Sequence, residues 1–400
     1  MTSLARTVTG RSLPRSCYVD ADVFAVDLDA VWRRYWLFAG HSCELAAPGD
    51  FLLLEPADES LIVVRGDDGR LHALHNTCRH RGSRICDELA GKAKRFVCPY
   101  HQWVYALDGS LQACGGIDRE LGIDRSELSL REAQVEESAG LVFVALAEDP
   151  PPFAEAGTDF ERMFDRQGLE RAKVAARRSY FVRANWKLVW ENNRECWHCH
   201  VGHPEYVRAN YDTAHGSPQV RDELDERIAA LQARGLAVDH PDVGLATFPS
   251  PGRWWSVNRT ATMPGFLTES VDGQPVSTPM GSHDGHDTGT LRARVLPGFW
   301  CHASADHAVT TRIVPAGPLE TKVDVTWLVD AGAREGADYD VDRLLPFWQR
   351  TSEQDWALCE RNQRGILSSA YTPGPYSPSR ETNVIAFAEW YLEAVSDFAI

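Results

Sequence analysis

The sequence predicts an α+β protein of two domains, an all-β domain followed by one in which helices cover an antiparallel sheet. Three observations predict it. Short β-branched and Leu-rich runs separated by turn residues fill the chain from about residue 50 to 146, a proline-rich break follows, and beyond it strands give way to long helical segments.

The elements follow in order. "DADVFAVDLDAVWRRYWLFA", residues 20–39, opens on Asp and carries apolar residues near helical spacing, so residues 1–44 form an N-terminal helical segment. Residues 50–77 read as antiparallel strands, because "ADES" and "GDDGR" are turn chemistry between apolar runs. "RFVCPYHQWVYALDGSLQ" and "GLVFVAL" extend the β character and complete a domain over 45–150. "AEDPPPFAEAG" ends it, since consecutive prolines extend neither a strand nor a helix interior. Within 151–400, "NWKLVWENNRECWHCHVG" and "DERIAALQARG" read as helices and residues 290–330 as strands. "DVDRLLPFWQRTSEQDWALCERNQRGI" reads as a long helix ended by Gly365, and "NVIAFAEWYLEAV" as a closing helix.

A chain of 400 residues, 44% of them hydrophobic, can bury a substantial core. No apolar run approaches the roughly 20 residues of a membrane helix, and "MTSLARTVTGRSLPRS" holds no secretory stretch, so a cytoplasmic protein without membrane contact is expected. A net charge of -16 argues against a nucleic-acid partner. Ten Cys, several grouped with His, read as metal ligands and free thiols rather than as a disulfide framework.

Two constellations carry chemistry. Cys78, His80, Cys98 and His101 form C-x-H-x17-C-x-x-H, two loops that each mix Cys with His. That mixture suits a two-iron cluster in which two thiolates hold one iron and two imidazoles the other. A structural zinc also takes Cys2His2, but zinc fingers usually keep two Cys in one loop and two His in another. Cys86, outside the pattern, reads as a small packed side chain. The second constellation is "ENNRECWHCHVGHPEY". His200 and His203, at i and i+3, would share a helix face, but Gly202 and Pro204 should end the helix before His203 and free it to fold back toward His198. Spacing alone leaves the pair undecided.

"CRHRGSRIC" and "CPYHQWVYALDG" resemble the Rieske [2Fe–2S] domains of ring-hydroxylating-type oxygenases, over roughly residues 45–150. "NWKLVWENNRECWHC" and the "HP" after it resemble the H-x4-H segment of Rieske non-haem iron oxygenases. That resemblance implies a mononuclear Fe(II) held by His198 and His203, with His200 a neighbour. The family's third ligand, an Asp on a late helix, matches Asp355 in "TSEQDWALCERNQRG". It also implies a catalytic domain of helix-grip (START-like) form. Where most of the family has an Asp bridging the two centres, this chain has Glu195, which resembles the branch acting on quaternary ammonium compounds. Glu195 would accept hydrogen bonds from a cluster His of a neighbouring subunit and from an iron ligand. The implied assembly is a homotrimer with electrons crossing between subunits.

"FPSPGRWWSVNRT", "LPGFWCHASADHAVTTRIVP" and "FAEWYLEAV" resemble oxygenase subunits of glycine betaine monooxygenases and of proline betaine (stachydrine) demethylases. The expected protein is a terminal oxygenase that uses O2 and NAD(P)H-derived electrons, delivered by a reductase with flavin and a plant-type iron–sulfur cluster. It would hydroxylate an N-methyl group, converting glycine betaine to dimethylglycine and formaldehyde. Proline betaine, carnitine, choline or an aromatic ring are alternative substrates. A Rieske electron-transfer protein is the alternative of another class, but it would leave residues 151–400 unused.

A quaternary ammonium has no N–H and is best held against aromatic faces, each worth roughly 0.5–2 kcal/mol. Among thirteen Trp, the candidates are Trp190, Trp254, Trp255, Trp300 and Trp390, with Phe299 and Tyr206, although most large aromatics are core residues. A betaine carboxylate needs a donor such as His302, Arg253 or Asn258, which the sequence does not rank.

Overall fold

The computed structural model describes residues 10–211, 218–239, 248 and 253–398. It opens with α1 (Ser16–Val19) and α2 (Ala21–Asp27), the latter capped by Asp20, whose side chain accepts from the Asp22 and Val23 N–H groups. The helix expected to reach residue 39 stops early. It passes through a π-turn over Leu28–Trp32, and Leu37–His41 is already strand β1.

The next strands are β2 (Asp50–Leu54), β3 (Leu61–Arg65), β4 (Leu71–His75), β5 (Ala90–Lys92), β6 (Phe96–Val97), β7 (Val104–Tyr105) and β8 (Leu111–Ala113). After α3 (Ile117–Leu121) come β9 (Glu132–Ser138) and β10 (Leu141–Ala145). They form a seven-stranded sheet in the order β1-β10-β9-β4-β3-β2-β5 and a small sheet β6-β7-β8, every pair antiparallel. The unbroken apolar run of β3 is the mark of a strand buried on both faces. Leu61 and Val63 enter a large core shared with the second half of the chain, while Ile62 and Val64 enter a smaller one that includes Cys78, Cys98 and Trp103. Each such side chain stabilises the fold by about 1.5–3 kcal/mol on leaving water. The small core is therefore the floor of the first candidate metal site.

The second half contains α4 (Ala154–Phe164), β11 (Ala172–Val182), α5 (Trp186–Asn193), α6 (Cys199–Gly202), α7 (Pro204–Ala209) and α8 (Pro218–Ala233). Strands β12 (Trp255–Thr260), β13 (Thr290–Val295), β14 (Phe299–Ala303), β15 (Ala308–Gly317) and β16 (Glu320–Asp330) follow. Helices α9 (Val341–Leu344), α10 (Pro346–Ile366) and α11 (Thr382–Ala394) close it. The long helix expected over 340–366 is thus two, the second starting at Pro346, a residue suited to a first helical turn. The six strands pair antiparallel in the order β11-β16-β15-β14-β13-β12. The two halves join through the large core, where Phe38 of β1 meets Phe299 of β14 at 4.3 Å.

The helix-grip (START-like) form expected of this half is not what is found. A grip wraps a sheet around one terminal helix, whereas here α5, which lies between β11 and β12 in the chain, shares the covering face with α10. The cause is α5 itself. Trp186, Lys187, Leu188, Val189 and Trp190 are all buried, so the helix needs cover on both sides, from the sheet on one and from α10 and α11 on the other. Lys187 is buried because Asp27 of α2 pairs with it, and Asp27 also accepts from Trp186 Nε1 (3.0 Å) and Tyr391 OH (2.7 Å) of α11. Among the described residues no helix is long and apolar enough to cross a membrane.

Candidate metal centres

Asp355, Cys359 and Gln363 lie four residues apart on α10 and so share a face. Gln363 Oε1 accepts from the Asn185 N–H (2.8 Å) at the start of α5, and Cys359 Sγ reaches the Leu188 carbonyl (3.6 Å). This antiparallel register carries Asp355 to the point where the chain leaves α5. The single helix expected over 185–202 breaks there: α5 ends at Asn193 and α6 begins at Cys199. His203 caps α6 with φ -133° and ψ 73°, between Gly202 and Pro204.

The break lets His203 turn back on His198. The rings lie 5.1 Å apart, and Nε2 of His198 and of His203 stand 3.2 Å and 2.8 Å from one atom, Asp355 Oδ1. The outer nitrogens are also held, His198 Nδ1 by Glu195 Oε1 at 2.6 Å and His203 Nδ1 by Gln354 Oε1 at 2.8 Å. An Nδ1–H committed to oxygen leaves the Nε2 lone pair for a metal. His200 lies exposed on α6. Burial disfavours charge on His198, but Asp355 and Glu195 outweigh it and push the imidazole up to about 9. Burial likewise opposes charge on Asp355, and the two His overcome it and hold the carboxyl below its usual range. A point that favours positive charge this strongly, faced by two imidazoles and a carboxylate, fits the donor set of non-haem Fe(II) oxygenases.

Donor atoms of His198, Cys199 and His203 lie within 4.8 Å of one another. Cys199 is nevertheless disulfide-bonded to Cys196, so its sulfur offers no thiolate. This pair departs from the expectation of ligands and free thiols alone, because the turn between α5 and α6 brings the two Cα atoms to 4.9 Å. The other eight cysteines are free.

The first constellation sits on two loops with one backbone pattern. The Cys78 N–H donates to the Ser83 carbonyl and the Gly82 N–H to the Cys78 carbonyl, while Cys98 N–H donates to the Trp103 carbonyl and Gln102 N–H to that of Cys98. Gly82 and Gln102, equivalent in the two turns, take left-handed φ of 76° and 56°, which glycine adopts without steric cost. Buried Asn76 clasps the first loop, its Oδ1 accepting from Ile85 N–H (3.0 Å) and Cys86 N–H (2.9 Å). Cys78 and Cys98 are buried, His101 is exposed, and His80 stacks on Trp103 at 4.9 Å. The two His rings are 4.7 Å apart. His80 Nδ1 is buried without a hydrogen-bond partner among the described residues, a gap that a metal bond satisfies, so the four residues fit a mixed-ligand cluster. Cys86 packs partly buried against the same core.

The candidate substrate residues divide. Trp190 and Trp300 meet at 5.8 Å, Trp300 and Trp356 at 6.4 Å, and His302 lies 4.1 Å from Trp348, on the sheet face that α5 and α10 cover. Tyr206 OH accepts from Arg292 there (2.7 Å), and Asn258 is the cross-strand neighbour of Arg292. Trp254 packs on Phe153 instead, Trp255 and Arg253 reach Asp159 of α4, Phe299 faces Phe38, and Trp390 packs on Tyr35. Sequence reasoning missed Gln354 and Trp356, and also Asn192, whose Nδ2 is 3.4 Å from His198 Nε2. Adjacency to Asp355 was the one signal available for Gln354 and Trp356.

Fold and sites together define an oxygenase with a Rieske-type electron relay and a separate mononuclear iron. Residues 35–119 match the Rieske [2Fe-2S] domain family, and residues 169–397 match the ring hydroxylating alpha subunit (catalytic domain) family. The chain is 40% identical over 390 residues to the glycine betaine monooxygenase oxygenase subunit of Chromohalobacter salexigens, covering 96% of this chain and 86% of that protein. It is 39% identical over 393 residues to the subunit of the same name from Pseudomonas aeruginosa, covering 96% and 88%. Among solved structures, the quaternary ammonium Rieske monooxygenase in complex with L-carnitine has a TM-score of 0.72 at 22% identity, covering 98% of this chain and 97% of that one. Naphthalene 1,2-dioxygenase from Rhodococcus sp. has a TM-score of 0.66 at 20% identity, covering 97% and 95%. The chain belongs to the ring-hydroxylating Rieske oxygenase alpha subunits. It is a Rieske-type non-haem iron monooxygenase with a [2Fe–2S] cluster and a mononuclear iron. Its fold is the Rieske half-barrel with the mixed sheet-and-helix catalytic domain of the naphthalene dioxygenases, which replaces the helix-grip expectation.

Proposed function

We propose that this chain is the terminal oxygenase of a two-component N-demethylase acting on a quaternary ammonium betaine, glycine betaine first. The convergence of two imidazoles on Asp355 carries the reading, and the glycine betaine monooxygenase relatives, matched along nearly the whole chain, support the substrate. In this reading 45–150 are the relay and 151–400 the catalytic unit, with residues 1–44 leading into them. His198, His203 and Asp355 would hold an iron that supplies oxygen activation, and Cys78, His80, Cys98 and His101 would hold the cluster that supplies its electrons.

The chain's own residues orient and shield. Glu195 and Gln354 hold the Nδ1 atoms of His198 and His203 and so keep both rings from turning off the metal. Trp190, Trp300 and Trp356 exclude water and offer ring faces to the methylammonium. A quaternary nitrogen has no lone pair, so the methyl C–H bond is the point of attack. The hydroxymethyl product then loses its O–H proton, the C–N electrons return to nitrogen, and formaldehyde and the tertiary amine separate.

Electrons reach the cluster from NAD(P)H through a flavin and plant-type iron–sulfur reductase, and exposed His101 is the natural contact. In this reading three chains would form a ring and electrons would pass from one subunit's cluster to the next subunit's iron site; inter-subunit electron transfer is named for a quaternary ammonium Rieske monooxygenase of this fold. The free thiols and a reductase-fed cluster suit the cytoplasm. The test is iron analysis with product analysis, using a surrogate reductase. About three irons per chain and formaldehyde from glycine betaine are expected. About two irons without turnover would mean an electron carrier, and a hydroxylated ring an aromatic oxygenase.

A further inference from the structure

The demethylase reading puts a zwitterion in the site, with a methyl group at His198, His203 and Asp355 and a carboxylate at its other end. A carboxylate withdrawn from water without a partner is strongly disfavoured, so the site must answer that charge as well. The following rests on that reading.

Across β12, β13 and β14, Ser256 pairs with Arg294 and Arg294 with Trp300, so these side chains point to one face. It is the helix-covered face, because Trp300 meets Trp190 of α5 and Trp356, the neighbour of Asp355, on α10. The alternate residues Ala293, Val295 and Phe299 turn to the other face, where Phe299 meets Phe38 of β1. Two guanidinium groups are buried at this face with no carboxylate partner among the described residues. Arg294, 6% exposed, has only Asn258 Oδ1 at 3.5 Å from its Nη1, and its Nε has no partner. Arg194, 1% exposed, donates from Nη2 to the Phe248 carbonyl at 3.3 Å, while its Nε and Nη1 have no partner. Arg194 lies over the Trp190 ring at 6.0 Å, and Trp190 touches Trp300, so both arginines line one aromatic wall. They are also near enough that the charge of Arg294 adds to burial in disfavouring charge on Arg194. Arg292, next along β13, differs: Thr260, Tyr206, Asn210 and Glu269 all accept from it, which also engages the buried Glu269.

We propose that Arg294 and Arg194 form the subsite for the substrate's carboxylate, beside the wall of Trp190 and Trp300, so that the enzyme selects zwitterionic betaines over quaternary ammonium compounds lacking an acid group. The guanidinium fork matches a carboxylate in shape and supplies the unmade N–H bonds. A bare cation leaves those donors empty and meets their positive charge, so selectivity comes from repulsion as well as attraction.

The experiment measures formaldehyde release from glycine betaine and from choline, the trimethylammonium compound without the acid, with holoenzyme and reductase. Wild type should favour betaine by about 100-fold or more in kcat/KM, as sites that hydrogen-bond a polar group reject analogues lacking it. Arg294→Gln and Arg194→Gln should each shrink that ratio by about tenfold or more, mainly through KM for betaine, with cluster absorption and iron content unchanged. Arg294→Lys should recover part of the loss. Should the glutamine variants fail to fold, wild type decides: glycine betaine must bind at least about tenfold tighter than its carboxamide, and equal binding overturns the subsite. An unchanged ratio, or equal losses for both substrates, also overturns it and leaves the demethylase reading standing. If wild type releases no formaldehyde from any quaternary ammonium compound, the reading itself falls, and the subsite with it.

Discussion

Glu195 holds two donors at once, His198 Nδ1–H at 2.6 Å and the Trp197 N–H. An amide has one acceptor oxygen, so Glu195→Gln keeps one of these bonds and sets an NH2 group against the other donor. The bond to the imidazole is charge-assisted, of a kind worth about 1.5–3 kcal/mol, or about tenfold to a hundredfold in an equilibrium at 1.4 kcal/mol per decade. Losing an outer partner of a metal-bound His typically costs the same range in metal affinity or activity. The Glu195→Gln protein should load iron when iron is in excess and keep the cluster's absorption unchanged. Its mononuclear iron should be lost to a chelator at concentrations about tenfold lower or more. In a single turnover with betaine and oxygen, cluster reoxidation should slow by at least about tenfold if Glu195 both orients the imidazole and, as the family resemblance implies, bridges to a neighbouring subunit's cluster. An iron-loaded variant with wild-type chelator resistance and wild-type reoxidation would refute both roles.

Other perturbations test separate parts of the structure. His198→Ala and His203→Ala should each lose mononuclear iron and turnover while His200→Ala keeps iron; iron loss in the His200 variant with retention in the His198 variant would reverse the assignment. Asp27→Ala leaves Lys187 buried and unpaired, which should cost about 3–5 kcal/mol in denaturant unfolding, and a loss below about 1 kcal/mol would show that the pair is not holding α2, α5 and α11 together. Burial lifts Glu191 from 4.5 to about 8, against the pull of Tyr18 and Lys187, so the folded protein binds this proton more tightly than the unfolded chain. That stabilisation is full below about pH 4.5 and drains away as pH rises to about 8. Glu191→Gln carries no such proton and should lose less stability than wild type between pH 5 and pH 8, by about 1.4 kcal/mol per unit of the window; parallel melting curves would contradict it.

Much of this protein is local, and the local part is legible. Metal ligation needs particular side chains a few residues apart, so Cys78, His80, Cys98 and His101 declare themselves as a set. The two turns that hold them are short-range backbone hydrogen bonds within the loops themselves. Gly202 and Pro204 likewise announce the break that frees His203, although helical spacing taken alone favours His200 as its partner. Periodicity also yields the strands of 50–77 and 290–330, but not the breaks in the helices expected over 20–39, 185–202 and 340–366.

It does not say which helix covers the sheet. That choice follows from Trp186 to Trp190 of α5 being buried on every side, Lys187 included, which demands cover from strands and helices far away in the chain, and so the domain is mixed rather than a grip on one terminal helix. The partners of the iron-site residues are distant for the same reason. Gln354 and Asp355 meet the histidines only because Cys359 and Gln363 set the register of α10 on α5. Among the aromatics, strand alternation in β14 sends Trp300 to the site and Phe299 to the core, a distinction invisible until the sheet has two different faces. Arg294 shows it most plainly. In the sequence it is one of many arginines, and only burial opposite Trp300, away from any carboxylate among the described residues, turns its charge into an unmet demand, because a guanidinium in water needs no partner and one in a protein interior does.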